Sequence, residues 1–116
     1  MTEDPGALAD ALEGAQELST TAAAALRSIV AAQGGTTPAT WTTDAALAFA
    51  ATVVPGWAIH LRGVAAHPDG QWHCTLRASD TRDDMAFVAQ AAGPVAAHVI
   101  FAAALRALAY RRTHAL

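Results

Sequence analysis

The stretch from Gly93 to Arg112 limits the possible folds of this chain more than any other feature. Pro94 suits the first turn of a helix because its missing N–H would be unpaired there, and arginines suit the negative end of the helix dipole. We therefore predict one helix from Pro94 to about Arg112. Its two apolar stripes are Ala97, Phe101, Leu105 and Leu108 on one side and Ala96, Val99, Ile100, Ala103 and Ala107 on the other. Such a helix must be buried on two sides, by a sheet and by another helix or a second subunit.

Length and charge limit the number of domains and the classes of function that this chain can have. A chain of 116 residues builds one domain around a single core. Its net charge is −3, from 10 acidic and 7 basic residues, and every basic residue is an arginine. Because no basic stripe runs along the sequence, we expect no direct nucleic-acid binding. Arg106 interrupts the apolar stretch of the last helix, so we expect no membrane span.

The cysteine content and the N-terminus bear on the location of the protein. Cys74 has no second cysteine with which to form an internal disulfide. The N-terminus is acidic where a secretory signal carries a basic region. These two features predict a cytoplasmic location.

The first 33 residues predict an acidic helical segment. Pro5 favours a helix start, and apolar residues then recur every three or four positions. The segment is one long helix or two helices. A bend or break near Gly14 or residues 19–21 is favoured, because glycine costs about 1 kcal/mol against alanine in a helix interior. The alanines at 22–25 are small enough to approach the alanine stripe of the last helix.

A small antiparallel sheet is predicted in the middle of the chain. After a linker at residues 34–40, Thr42 or Thr43 is expected to cap a short helix that ends before Pro55. Polar and apolar residues then alternate on both sides of a turn signal at residues 67–70. This pattern predicts a β-hairpin over residues 57–79.

The alternation also assigns the faces of the strands. A third strand is predicted over residues 85–91. The residues expected to point inward are Trp57, Ile59, Leu61, Trp72, Cys74, Leu76, Ala78, Met85, Phe87 and Ala89. The predicted fold class is α+β, with two to three antiparallel strands packed between helices. Residues 1–38 form an acidic helical segment and linker, and residues 41–112 form an α-β-β-(β)-α sandwich, within one folded domain.

Four short motifs carry a resemblance to a known family. They are Trp41-Thr42-Thr43-Asp44 before an alanine-rich helix, Pro55-Gly56-Trp57 before a strand, Gly70-Gln71-Trp72 in the next strand, and residues 102–108 (AAALRAL) in the closing helix. In this order they resemble the phage ABA sandwich family of small phage and prophage proteins, over residues 41–110. The resemblance implies a small antiparallel sheet between helices and no catalytic residues. The acidic segment lies outside the pattern, so a specialised function could lie there.

Two histidines and two arginines are predicted to share the outward face of the hairpin. If the inward residues of the two strands match, His60 lies opposite Thr75 and Arg62 opposite His73, with Arg77 diagonal to His60. Such a cluster is able to bind a phosphate or a carboxylate surface. The alternative is a solvated outer face without a ligand, which antiparallel sheets commonly have.

The acidic residues form a second candidate surface. A small acidic phage protein is able to cover the basic channel of a nucleic-acid-processing complex through complementary charge. The candidate contact residues are Asp10, Glu13 and Glu17 in the first segment and Asp80, Asp83 and Asp84 in the loop before the third strand. The alternative is that these residues only keep an alanine-rich protein soluble.

The sequence therefore predicts a non-catalytic binding protein of phage type. The favoured hypothesis is an anti-CRISPR-like inhibitor that contacts a host protein or ribonucleoprotein complex in the host cell cytoplasm. A virion or assembly protein and a small-ligand binding module are the alternatives. We expect no enzymatic activity and no cofactor, because the sequence contains no catalytic motif.

A homodimer is also predicted. One hairpin is too small to cover both stripes of the last helix, so the second stripe or the N-terminal helices would form the interface. His98 is interpreted as a packed histidine with a hydrogen-bond partner, and Cys74 as a small core residue. No zinc site is predicted, because His60 and His73 point outward whereas Cys74 points inward.

Overall fold

The computed structural model describes residues 5–14, 17–34, 41–63, 72–77 and 88–113. The elements in these ranges are α1 (Pro5–Glu13), α2 (Thr20–Ala32), α3 (Thr43–Val53), β1 (Ala58–Arg62), β2 (Trp72–Arg77), β3 (Val88–Gly93) and α4 (Ala96–Thr113). The strands form one antiparallel sheet in the order β1-β2-β3. The fold is therefore α+β with a small antiparallel sheet packed against helices, as the sequence predicts.

Hydroxyl side chains cap the N-termini of two helices. Oγ of Ser19 accepts a hydrogen bond from the backbone N–H of Ala22 at 3.0 Å, and Oγ1 of Thr42 accepts one from Ala45 at 3.1 Å. Each bond satisfies an N–H group that the start of a helix leaves unpaired. Thr42 is thus the cap of α3. The N-terminal segment consists of two helices, and the break favoured from the sequence lies between α1 and α2.

Helix α4 lies at the centre of the core. Every residue from Ala97 to Leu105 is buried, and so are Ala107 and Leu108. Helices α1 and α3 and strands β2 and β3 pack around α4. Burial on two sides is therefore confirmed, and it is achieved within one chain. The second stripe of α4 is consequently not available as a dimer interface.

Aromatic side chains join α4 to α3. The ring of Phe101 meets the ring of Trp41 edge to face, with 5.4 Å between centroids, and lies 5.7 Å from the ring of Phe49. Arg111 donates a hydrogen bond to the carbonyl oxygen of Val53 at the C-terminal end of α3. A basic side chain at this position satisfies a carbonyl group that the helix itself leaves unpaired.

The N-terminal segment contacts α4 chiefly through α1. Leu8, Ala9 and Leu12 are buried and belong to the same core cluster as α4. The alanines at 22–25 of α2 are exposed or half-buried, and Ala22 and Ala25 pack against the core cluster that contains α4.

The register of the hairpin is the predicted one. β1 pairs with β2 so that His60 lies opposite Thr75 and Arg62 lies opposite His73. β3 is described from Val88 and ends at Gly93, two residues beyond the predicted end, whereas the predicted start at residues 85–87 lies outside the described residues. The predicted turn at residues 67–70 and the predicted inward residues Ala78, Met85 and Phe87 lie outside the described residues.

Helix α4 covers one face of the sheet incompletely. The buried residues on this face are Cys74, Leu76, Ala89 and Ala91. Ile59 and Leu61 share this face by register, but each is 37% exposed. The extensive contacts of α4 with the sheet are made to β2 and β3. The two residues therefore lie on the predicted face, whereas their predicted burial is wrong because α4 does not extend over β1.

The opposite face of the sheet is open among the described residues. We call it the outer face; it comprises Ala58, His60, Arg62, His73, Thr75, Arg77, Gln90 and Ala92. These residues are exposed or half-buried. Within the described ranges, no helix has the length and apolar character that crossing a membrane requires.

Candidate binding site on the outer face of the sheet

The outer face brings together the histidine and arginine cluster expected from the sequence. His60 and Arg62 lie on β1, and His73 and Arg77 lie on the neighbouring strand β2. His60, Arg62 and His73 are exposed, and Arg77 is half-buried. All four side chains are therefore accessible from the same side of the sheet.

An open concavity of about 930 Å³ lies over the outer face. Residues of β1 and β2 form its floor, and Glu13 and Arg106 line it beside β3. Among the described lining residues, Arg62, Arg77 and Arg106 against Glu13 give a charge of +2 when the histidines are neutral. The whole chain carries −3. The described part of the lining is thus positive on a negatively charged protein.

The rim of this concavity is built around Glu13, at the end of α1. Arg106 of α4 donates hydrogen bonds to both carboxylate oxygens of Glu13, at 2.8 and 3.0 Å, and to Asp10 at 2.7 Å. Two parallel bonds between a guanidinium and a carboxylate are a strong form of charge-assisted hydrogen bonding. The bonds from Arg106, together with one from the N–H of Ala92, keep the pKa of Glu13 below its usual value despite partial burial. Glu13 in turn raises the pKa of Arg106.

The same side chains cover the edge of β3. Ala92 donates its backbone N–H to Glu13 at 2.9 Å, and the carbonyl oxygen of Gln90 accepts a hydrogen bond from Arg106 at 2.7 Å. At the next position, a methyl group built on Gly93 would overlap the backbone carbonyl oxygen of Glu13. Glycine is therefore required where the end of α1 approaches the strand.

The acidic residues proposed as a contact surface have different environments. Asp10 and Glu13 both form ion pairs with Arg106, and their side chains are 76% and 32% exposed. Glu17 is exposed. The other three candidates, Asp80, Asp83 and Asp84, lie outside the described residues. Glu13 thus belongs to an ion pair within the protein, and an acidic contact surface stays a prediction.

Cys74 and His98 are buried in the core. Cys74 is 1% exposed, and burial raises the pKa of its thiol to about 11, so the thiol is protonated and unreactive at neutral pH. His98 lies in α4, and every buried side-chain nitrogen and oxygen atom in the described residues has a hydrogen-bond partner. In that part of the chain, no three His, Cys, Asp or Glu side chains are arranged to hold a metal ion.

Arg106 and Gln90 are site residues that the sequence analysis missed. A signal existed for Arg106, because a single charged residue in a buried apolar helix requires a partner. The part played by Gln90 has no such signal, since it acts through a backbone carbonyl group that every residue carries.

Comparisons with family models, with curated proteins and with solved structures give no match to this chain. The resemblance to the phage ABA sandwich family therefore stays a prediction, and the function has to be argued from the site. Two histidines and two arginines that pair with no described carboxylate lie on one open sheet face, an arrangement suited to binding an anionic group.

Proposed function

We propose that this protein is a non-catalytic binding protein whose outer face contacts an acidic surface of a partner protein. The observation that carries the proposal is the charge of +2 among the described residues that line a concavity on a chain of net charge −3. Within the described residues, neither Arg62 nor Arg77 forms an ion pair. No described carboxylate neutralises these two charges, and we propose that both interact with the ligand.

Carboxylates suit this surface by geometry as well as by charge. A guanidinium group presents a planar set of donors that matches the two oxygens of a carboxylate. His60, His73 and Thr75 add hydrogen-bonding groups between the two arginines. An acidic segment of a partner protein lying along the strands would contact both arginines.

An acidic protein fits better than a nucleic acid. Binding to nucleic acid draws most of its affinity from many phosphate contacts, which require a broad basic surface. The net charge of −3 opposes that long-range attraction. A short carboxylate-rich segment needs only the local positive charge of the concavity.

The biological setting that we propose is inhibition of a host defence complex in the host cell cytoplasm. The resemblance to a phage family and the small size of the chain support this setting. The contact surface differs from that of a nucleic-acid mimic, because Asp10 and Glu13 pair with Arg106. The outer face would instead bind an acidic surface on a protein subunit of that complex.

Fluorescence anisotropy with a labelled oligoglutamate peptide tests the outer face. Arg62→Gln and Arg77→Gln should each weaken binding roughly tenfold, which corresponds to about 1.4 kcal/mol. Arg27→Gln is the matched control, because it removes the same charge from an exposed position on α2. It should change the affinity less than about twofold, since Arg27 does not line the concavity. Equal losses in all three variants would overturn the proposal.

The partner itself can be sought by affinity capture from a bacterial host lysate, followed by mass spectrometry. We expect the wild type to retain components of a defence complex and the double variant Arg62→Gln/Arg77→Gln to lose them. Capture of capsid or tail proteins by the wild type alone would favour the virion alternative. Equal capture by both proteins would argue against the outer face as the contact surface.

A further inference from the structure

The hydrogen bonds at β3 determine which backbone groups of β1 point outward. In an antiparallel sheet each residue directs its N–H and C=O to the same side, and successive residues alternate. Gln90 and Ala92 direct these groups away from β2, because they bond to Arg106 and Glu13. The residues opposite them in β2 therefore direct theirs toward β1.

Those residues of β2 pair with His60 and Arg62. Ile59 and Leu61 consequently direct their N–H and C=O groups to the other edge of the sheet, where no strand among the described residues pairs with them. Both side chains are also exposed, at 37% each. An edge of this kind, with outward backbone groups and apolar side chains, is suited to pairing with another strand.

We propose that β1 pairs with β1 of a second copy of this chain, antiparallel about a two-fold axis at His60. In this register Ile59 lies opposite Leu61 of the partner subunit, and the two residues exchange both backbone hydrogen bonds. Their apolar side chains contact each other on the face that α4 leaves uncovered. His60 lies opposite His60 of the partner subunit, in a pair without hydrogen bonds.

The charges of β1 are compatible with pairing to itself. Arg62 lies opposite Ala58 of the partner subunit, so no two arginines stand in direct opposition. Like charges opposite each other would be destabilising. The strand is thus complementary to itself in backbone hydrogen bonding and in apolar contact, and its charges do not oppose the pairing, as a symmetric interface requires.

The pairing also completes the outer face, an inference that rests on the proposed function. Arg62 of the partner subunit lies opposite Ala58, which lies opposite Arg77 in its own sheet. The Cα atoms of Arg77 and of that arginine are therefore about 10 Å apart, or two strand spacings, with only a small side chain between them. Within one chain, Arg62 and Arg77 are separated by four residues along the strands and one strand spacing, or about 14 Å. The closer pair, Arg77 of one subunit and Arg62 of the partner subunit, forms a carboxylate-binding site. We call this site the seat.

Cysteine crosslinking tests the pairing and its register. His60→Cys would place two thiols opposite each other with about 4.5 Å between Cα atoms, which a disulfide spans, so mild oxidation should give a covalent dimer. Ile59→Cys is the matched control, because it faces Leu61 across the axis instead of itself. Cys74 does not compete, since burial raises its pKa to about 11. No crosslink with His60→Cys, or equal crosslinking of both variants, would overturn the pairing.

Sedimentation equilibrium tests the edge without any crosslink. One short strand buries less surface than a standard interface of about 1,600 Å², so we expect a dissociation constant in the micromolar range. Leu61→Lys should remove the dimer, because a lysine on an edge strand opposes pairing. Leu47→Lys is the control: Leu47 is 40% exposed but lies on α3, so this variant should dimerise like the wild type. A wild type that stays monomeric at about 1 mM would overturn the proposal.

Mixing Arg62→Gln with Arg77→Gln tests the shared seat. Half of the dimers in an equal mixture combine the two variants, and each of these has one seat with both arginines. The capacity for oligoglutamate should therefore recover to about a quarter of the wild-type value in a symmetric dimer. No recovery would show that each site lies within one chain and would overturn the shared seat. If oligoglutamate binds no form of the protein, the proposed function fails, and crosslinking still tests the pairing.

Discussion

The outward backbone N–H and C=O groups of the two edge strands have different surroundings. At β3, Glu13 and Arg106 from two helices bond to the N–H of Ala92 and the carbonyl oxygen of Gln90. At β1, no described strand pairs with the outward groups, and the apolar side chains on the helix-facing side are exposed. One edge is closed by side chains of the same chain, whereas the other has the geometry to accept a second chain.

The difference between the edges follows from where the helices lie. Helices α1 and α4 both contact β3, and α4 continues over β2. Side chains from α1 and α4 therefore reach the edge of β3. Substitutions at that edge should change the free energy of unfolding, whereas substitutions at β1 should chiefly change association between chains.

Gly93→Ala should have the largest effect, because its methyl group would overlap backbone rather than a movable side chain. We expect the free energy of unfolding, measured by urea denaturation, to fall by about 3 kcal/mol or more. Gly14→Ala is the control, since nothing lies within 4 Å of a methyl group there. It should change stability by less than about 1 kcal/mol. A small effect of Gly93→Ala would mean that α1 does not close this edge.

Arg106→Met should have the next largest effect. It removes the Arg106 hydrogen bonds from the Gln90 carbonyl oxygen and from the Glu13 carboxylate, which keeps only the bond from the N–H of Ala92, and this loss should cost about 2 kcal/mol. Asp10→Asn is the control, because the Asp10 side chain is 76% exposed and exposed ion pairs contribute about 0–1 kcal/mol. If urea denaturation shows that both variants lose the same free energy of unfolding, the hydrogen bonds at the edge of β3 stabilise the fold no more than a surface ion pair does.

The contribution of Glu13 should depend on pH. Because the pKa of Glu13 is lowered in the folded protein, its stabilisation is complete above the unfolded value of about 4.3 and is lost as the pH falls through the folded value. Urea midpoints of the wild type should therefore fall more steeply than those of Glu13→Gln below about pH 5. Parallel curves for the two proteins down to pH 3 would contradict this role.

Leu61→Lys should have the smallest effect on stability. At protein concentrations where the wild type is monomeric, we expect its free energy of unfolding to change by about 0.5 kcal/mol or less, as for other exposed positions. Thermal and urea denaturation at about 1 µM would measure this. A loss of 2 kcal/mol or more would show that the helix-facing side of β1 is packed in the monomer, and the contrast between the two edges would disappear.

The local sequence pattern was sufficient to predict the main helices and strands and the register between β1 and β2. The alternation in residues 57–62 and 72–78 places His60, Arg62, His73 and Arg77 on one face, and a shift by one residue would turn every apolar side chain outward. The continuous apolar character of the last helix required burial on two sides, which the structure confirms. These features depend on neighbouring residues, so the sequence alone carries them.

The closing of one edge and not the other was decided only by the tertiary structure. Glu13 and Arg106 are 93 residues apart, and nothing near either residue indicates the other. The exposure of Ile59 and Leu61 has a similar origin, because their alternation predicts a face but not what covers it. An α-helix is about 10 Å wide and strands are about 4.8 Å apart, so one helix covers roughly two strands. Among the described elements, β1 is therefore left partly exposed on the side of α4.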